Sequence, residues 1–193
     1  MNESTNKVKF GLKNVYIAKL IESEGKITYE TPFHIPGAVN LSRNAEGDIT
    51  KFKADNIIYF SSNSNQGYTG DLEIALVVEQ FLTDILGQTK DKNGALIENA
   101  DDTISRFALM FEVIGDAKNR RNVYYDCIAK RPETEAKTLE ESKTPDTEKL
   151  SLTMNPRSTD GMVKASIEPT DANKTIYESF FKQVYEKDAT ASV

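Results

Sequence analysis

The side chains that most often perform catalysis are scarce in this sequence, which has 193 residues but one histidine and one cysteine. A histidine-based triad would have to use His34, in the run PFHIP, and thiol chemistry would have to use Cys127, in YYDCIAK. A histidine between two prolines is typical of a structural position, and a cysteine that alternates with strand formers is typical of a small buried hydrophobe. A lone cysteine also excludes an intrachain disulfide. We therefore interpret both residues as structural.

The acidic residues form no pattern that indicates a catalytic or metal site. Asp91 opens the run DKNG, which is similar to the start of a calcium loop, but the residues up to Asp102 do not continue the pattern. The adjacent acids Asp101–Asp102 and Glu140–Glu141 lie in polar stretches, where solvated charge is the usual role. The phosphate, dinucleotide, zinc and nucleophile motifs GxxxxGK[ST], GxGxxG, HExxH, CxxC and GxSxG are absent. The sequence thus predicts no enzymatic activity, no metal and no cofactor.

The charge balance argues against a protein that grips nucleic acid. The chain has 24 basic and 30 acidic residues and a net charge of -6, whereas binding by counterion release needs a basic face. The pair Arg120–Arg121 follows a turn-like stretch and is interpreted as a solvated turn or one side of a salt bridge. No apolar run approaches the roughly 20 residues of a membrane-spanning helix, and the opening MNESTNK lacks the features of a signal peptide. We expect synthesis and retention in a cytoplasm.

The elements that must position these residues are mostly strands at short spacing. We therefore predict a mainly β (α+β) fold, an antiparallel β-sandwich or barrel with a short flanking helix and a C-terminal helix. A single domain is expected over residues 1–193, with a solvated excursion at about 131–149 and a flexible tail at about 188–193. A hairpin is predicted from Ala38–Ser42 and Asp48–Ala54. An exposed lobe with an Asn93–Gly94 turn is predicted at Gln88–Asp102.

Ala54–Leu86 carries the densest set of local signals. Gly87 follows it, at a position suited to a left-handed helix cap. The pattern predicts a strand at Ile57–Phe60, a polar connection at Ser61–Gly67, a strand from about Tyr68 to Val78 and a helix from about Glu79 to Leu86.

Two further stretches have informative apolar patterns. The run SRFALMFEVIGD is apolar on both strand faces, so it should be buried on both faces or covered by a helix or a neighbouring subunit, with Arg121–Lys130 as its hairpin partner. Near the C-terminus, Ile176, Phe180 and Val184 recur every four residues. This spacing predicts an amphipathic helix with a wide apolar face, whose start Thr170 or Asp171 can cap.

Several runs closely resemble the major tail protein family of long-tailed, non-contractile bacteriophages and prophages of Gram-positive hosts. They are ITYETPFHIPGAVNLS, ADNIIYFSSNSNQGYTGDLEIAL, FLTDILG with KDKNGALIENADD, RFALMFEV with RRNVYYDC, and PRSTDGMVKASIEPTDANKTIYESFFKQVYE. The resemblance is colinear over about residues 7–186. It implies a structural virion protein whose hexameric rings stack into a tail tube, and through this tube double-stranded DNA passes without specific binding.

The resemblance also implies partners and an assembly site. The partners would be further copies of the chain together with the tape-measure, tail-tip and tail-terminator proteins, in the virion tail. We assign self-assembly to the polar connection and the residue after it, namely Ser61, Ser62, Asn63, Ser64, Asn65, Gln66, Gly67 and Tyr68. The alternatives are a tail-tip, baseplate or surface domain that binds glycans through aromatics such as Tyr29 and Tyr68, and a hydrolase that uses acidic residues.

Overall fold

Antiparallel strands dominate the computed structural model, which describes residues 11–116, 118–134 and 146–188. The strands are β1 Leu12–Ser23, β2 Lys26–Tyr29, β3 Phe33–Ile35, β4 Ala38–Leu41, β5 Asn44–Glu46, β6 Ile49–Ala54, β7 Ile57–Asn63, β8 Gly67–Ile74, β9 Thr89–Lys90, β10 Leu96–Ile97, β11 Phe107–Val113, β12 Arg121–Ala129, β13 Glu148–Asn155 and β14 Lys164–Ile167. The helices are α1 Glu79–Asp84 and α2 Lys174–Ser179, and α2 follows a 3-10 turn at Asp171–Asn173.

Ten of these strands form one sheet, with the order β2-β1-β11-β12-β13-β8-β4. The strand β3 also pairs with β1, β14 with β12, and β5 with β8. Side chains from β1 and β8, which lie four places apart in that order, meet in one apolar cluster, so the sheet folds over on itself. This mainly β architecture with a large antiparallel sheet confirms the predicted fold class.

The strand β11 is buried on both faces, as its apolar pattern predicts. Phe107, Leu109 and Phe111 join the interior cluster, to which α1 contributes Phe81. On the opposite face, a second cluster includes two strand residues, Ala108 and Met110, and two residues of the C-terminal segment, Phe180 and Val184. The same chain therefore supplies the cover for both faces. The predicted hairpin partner is also confirmed, because β11 pairs with β12.

The predicted C-terminal helix is much shorter than its apolar spacing suggests. The helix α2 ends at Ser179, although Phe180 and Val184 beyond it are still buried. At this end, the carbonyl oxygen of Tyr177 accepts hydrogen bonds from the amide of Phe180, at 3.3 Å, and from the guanidinium of Arg121, which also lies over the ring of Tyr177. In a continuing helix that oxygen would accept from the amide four residues later. Thr170 forms the predicted cap, in a capping box around the 3-10 turn.

The predicted hairpin between Ala38–Ser42 and Asp48–Ala54 is wrong. The strand β4 pairs with β8 in the large sheet, whereas β6 pairs with β7 in a separate two-stranded ribbon. The predicted strand from about Tyr68 to Val78 ends at Ile74. The lobe at Gln88–Asp102 is confirmed as the short β9–β10 hairpin, and Gly87 has the expected positive φ of 80°.

The predicted excursion at 131–149 and tail at 188–193 lie mostly outside the described residues. The two described ends of the excursion meet, because Glu133 and Lys149 form an isolated antiparallel bridge. Neither helix of the described ranges has the length and apolar character of a bilayer-crossing helix.

Candidate assembly site

The ribbon of β6 and β7, residues 49–63, pairs with no strand of the large sheet in the described part of the chain, and we call it the arm. Its strands pair from Ile49↔Asn63 to Ala54↔Ile57, with a bulge beside the Phe52↔Phe60 pair. Asp55 and Asn56 form its two-residue turn, with φ of 52° and 65°. Positive φ at both turn positions matches the twist of a tight hairpin, and Asp and Asn tolerate this conformation better than most residues.

The arm exposes an unusual amount of apolar surface. Six large apolar side chains are between 53% and 74% exposed, namely Ile49, Phe52, Ile57, Ile58, Tyr59 and Phe60. Four of them are consecutive, and successive strand residues point to opposite sides, so both faces of the ribbon carry apolar groups. Contiguous exposed apolar patches on a polar protein mark sites of interaction with other molecules.

Two main-chain hydrogen bonds connect the base of the arm to the edge of the large sheet. The amide of Gln66 donates to the carbonyl of Glu46, and the amide of Ser64 donates to the carbonyl of Asp48, both at 3.0 Å. These bonds link the β5–β8 pairing of the body to the β6–β7 pairing of the arm. The arm is thus joined to one edge of the large sheet by main-chain hydrogen bonds.

The eight residues assigned to self-assembly do not form a single polar loop, contrary to the prediction. Ser61, Ser62 and Asn63 belong to β7 and form its inner end, next to the body. Ser64, Asn65 and Gln66 form the junction, where the Asn65 side-chain oxygen accepts from the amide of Gly67 at 3.1 Å. Gly67 and Tyr68 begin β8 in the body. The role of all eight residues in assembly stays a prediction, but the structure places only Ser61, Ser62 and Asn63 on the arm.

Sequence reasoning misses the apolar outer half of the arm. It interprets Ile57–Phe60 as an apolar strand and assigns assembly only to the polar residues that follow it. The signal that could have found the arm is two strand-like stretches separated by only two residues, Asp55 and Asn56, which favours a tight hairpin.

The two tyrosines named for a glycan platform are half-buried and have partners in the body. The ring of Tyr68 packs edge-on against Tyr124, with centroids 5.4 Å apart. The hydroxyl of Tyr29 donates to the carbonyl of Tyr125 at 3.0 Å. Both rings are also packed against the apolar clusters of the body, so they do not form a fully exposed platform for a sugar.

The single cysteine, the single histidine and the aspartate of the calcium-like run have contacts that are typical of structural residues. Cys127 is fully buried, and burial raises the pKa of its thiol. His34 is exposed beside Tyr16, with ring centroids 5.0 Å apart. The carboxylate of Asp91 closes the Asn93–Gly94 turn by accepting from the amides of Ala95 and Asn93, both at 2.8 Å, and the bond from Ala95 is the main cause of its lowered pKa.

The arginine pair and Asp102 also have contacts that are typical of structural residues. Arg120 pairs with Asp116 at 2.7 Å and Arg121 with Glu112 at 3.2 Å, so the salt-bridge interpretation of the arginine pair is confirmed. Asp102 accepts from the amide of Asn99 at 2.8 Å. Glu140–Glu141 lies outside the described residues. Within the described ranges, no three His, Cys, Asp or Glu side chains are grouped as metal ligands.

Comparison with known proteins gives limited results. No protein-family model matches the chain, and no curated protein matches it. Among solved structures, the tube-terminating cap of the anti-feeding prophage is 9% identical, with a TM-score of 0.46 over 84% of this chain and 94% of that one. A chain of the six-fold symmetrised anti-feeding prophage baseplate is 10% identical, with a TM-score of 0.37 over 80% of this chain and 93% of that one. Similarity at this level carries no argument about function.

Proposed function

We propose that this chain is a structural virion protein that assembles with itself into stacked hexameric rings, the tail tube of a long-tailed bacteriophage. In this role it conducts double-stranded DNA without binding it specifically and performs no catalysis. Its partners are further copies of itself and, in the virion, the tape-measure, tail-tip and tail-terminator proteins. The resemblance of its sequence to the major tail proteins supports this assignment.

The observation that carries the proposal is the exposed apolar surface of the arm. Covering the exposed half of an Ile, Phe or Tyr side chain contributes about 1 kcal/mol, so covering several of them on the arm would stabilise an interface substantially. A second copy of the chain is the natural partner, because rings and stacks built from one chain repeat the same contact at every subunit. The arm also extends a sheet edge, which is a common place for one chain to join another.

The charge of the chain is compatible with a conduit for DNA. Each copy has a net charge of -6, so a ring of six copies would carry about -36. A lumen with the same sign of charge as the phosphate backbone disfavours adhesion of DNA to the wall.

Electron microscopy tests the assignment directly. The purified protein is concentrated and viewed in negative stain, alone and with the tape-measure protein, and we expect rings or tubes of uniform diameter. Persistent monomers under both conditions, together with binding to host glycans, would instead establish the surface-binding alternative. That alternative has weaker support, because the packed positions of Tyr29 and Tyr68 do not form an open aromatic platform.

A further inference from the structure

A cleft of about 350 Å³ opens on the body at one end of the folded sheet. Its lining is aromatic in part, with Tyr68, Phe111 and Tyr124, and also includes the charged side chains Arg43, Asp116, Arg120 and Lys164. Three cations and one anion give these groups a net charge of +2, on a chain whose overall charge is -6. The cleft is therefore a local basic site on an acidic protein.

Two of the three cations have no carboxylate partner among the described residues. Arg120 and Asp116 neutralise each other through two hydrogen bonds, of 2.7 and 3.1 Å. Arg43 lies over the ring of Phe111, with its guanidinium carbon 5.1 Å from the centroid, and donates to the hydroxyl of Tyr124 at 3.5 Å. The ammonium of Lys164 lies 4.7 Å from the centroid of Tyr68. Aromatic faces hold both cations at the cleft while leaving their charge free to meet an anion.

The tip of the arm carries an anion without a partner. Asp55 is exposed in the tight turn between β6 and β7, and it forms no hydrogen bond or ion pair within the described part of the chain. The apolar residues Ile57 and Ile58 follow closely after it. The outer end of the arm thus presents a carboxylate with apolar groups behind it, and the cleft presents two cations beside aromatic rings.

We propose that the arm of one copy docks at this cleft of a second copy, with the carboxylate of Asp55 bound by Arg43 and Lys164. This inference rests on the proposed self-assembly and assigns the surface that receives the arm. Charge complementarity selects the occupant, because a carboxylate meets two unpaired cations. The half-buried ring of Tyr68 offers apolar contact to the residues that follow the turn, whereas Phe111 is buried beneath the guanidinium of Arg43.

A carboxylate at the tip does not reach the cleft of its own chain. Arg43 directly precedes β5, and hydrogen bonding continues from β5 through the junction into β6, which keeps this run extended. About a dozen extended residues span more than roughly 30 Å. The cleft that receives Asp55 must therefore belong to another copy.

Charge reversal tests the contact. We expect Asp55→Lys and Lys164→Glu each to raise the protein concentration needed for assembly about tenfold, measured by sedimentation velocity. The double variant should assemble at least about threefold more readily than either single variant, because opposite charges face each other again. Asp101→Lys and Lys92→Glu are the matched controls, since both sites are exposed and lie away from the arm and the cleft. Circular dichroism melts establish that each variant is folded.

A zero-length carbodiimide coupling adds a direct readout on the native chain. It joins a carboxylate to an amine in contact, so mass spectrometry should find an amide between Asp55 and Lys164 of different copies. Rings that form normally in both charge-reversal variants, or a double variant no better than the single ones, would overturn the docking and leave the proposed function intact. If the native chain does not assemble, both the docking of the arm and the proposed tail-tube function are wrong.

Discussion

Gly67 lies directly against the main chain of Met154, where β8 meets β13. A β-carbon at position 67 would be 2.0 Å from the carbonyl oxygen of Met154, and the backbone of Gly67 has φ of +99°. Both the space and the backbone conformation therefore require glycine. The sequence places this residue in an assembly loop, but the structure gives it a role in the sheet of the body.

Replacing this glycine should destabilise the fold. We expect Gly67→Ala to lower the free energy of unfolding by more than about 3 kcal/mol, because backbone strain and a steric clash combine. Gly161→Ala is the control, since Gly161 also has a positive φ, of +72°, but a β-carbon added there would meet no atom within 4 Å. That variant should lose only about 1 kcal/mol. Equal losses of unfolding free energy for the two variants, measured by urea denaturation, would show that the clash with Met154 adds nothing to the cost of the substitution.

Polar substitution on the arm should separate assembly from folding. Phe52 and Phe60 are cross-strand partners and both are 59% exposed. We expect Phe52→Ser with Phe60→Ser to abolish rings or tubes in negative stain while the body unfolds at an unchanged urea concentration, because neither ring belongs to the core. Leu76→Ser removes a side chain of similar exposure, 68%, outside the arm and should assemble normally. Normal assembly of the double arm variant would contradict the role of the arm.

The hydroxyl of Tyr125 is buried and has no hydrogen-bond partner among the described residues. Removing an unsatisfied buried hydroxyl is neutral or favourable. Tyr125→Phe should therefore keep or raise the free energy of unfolding, by up to about 1 kcal/mol. Tyr29→Phe is the matched comparison, because its hydroxyl donates to the carbonyl of Tyr125, and its loss should cost about 1 kcal/mol. Chemical denaturation measures the free energy of unfolding of both variants. A larger loss of that free energy for Tyr125→Phe than for Tyr29→Phe would contradict the prediction.

The Arg120 side chain hydrogen-bonds Asp116 and lowers the pKa of that carboxyl from 3.8 to about 2. Since the folded state favours the ionised form, Asp116 contributes stability above about pH 4, and this contribution is lost as the pH falls through about 2. Asp116→Asn should therefore be less stable than the native chain at pH 7, and the difference should narrow on acidification.

Urea denaturation at several pH values between 7 and 2 measures this dependence. Asp101→Asn is the control, because Asp101 is exposed in a turn, and it should remain close to the native chain throughout. A gap between Asp116→Asn and the native chain that stays constant over the whole range would exclude the proposed linkage.

The sequence predicts the centre of the fold better than its edges. The pattern of β11 is apolar on both faces and its partner β12 follows shortly after it in the sequence, so their pairing can be predicted. The pairing of β4 and β5 with β8 cannot be predicted in this way, because these short strands pair with a partner more than 20 residues away in sequence. The early end of α2 likewise coincides with a contact from Arg121, more than 50 residues away, which local periodicity does not report.

The sequence locates the candidate site to within a few residues but misjudges its character. Polar residues Ser61–Asn63 indicate the correct ribbon, because a polar stretch between strands suggests exposure. The exposure of Ile57–Phe60 cannot be read in the same way, since four consecutive apolar residues look alike in a core strand and in a surface that another molecule covers.

The complete burial of Cys127 has a practical consequence for experiments on assembly. Because this is the only cysteine of the chain and its thiol is inaccessible, the native protein already serves as an unreactive background for site-specific labelling. One cysteine introduced on the arm would therefore carry a fluorophore or spin label at a single known position. The movement of the arm from solvent into an interface could then be followed in real time.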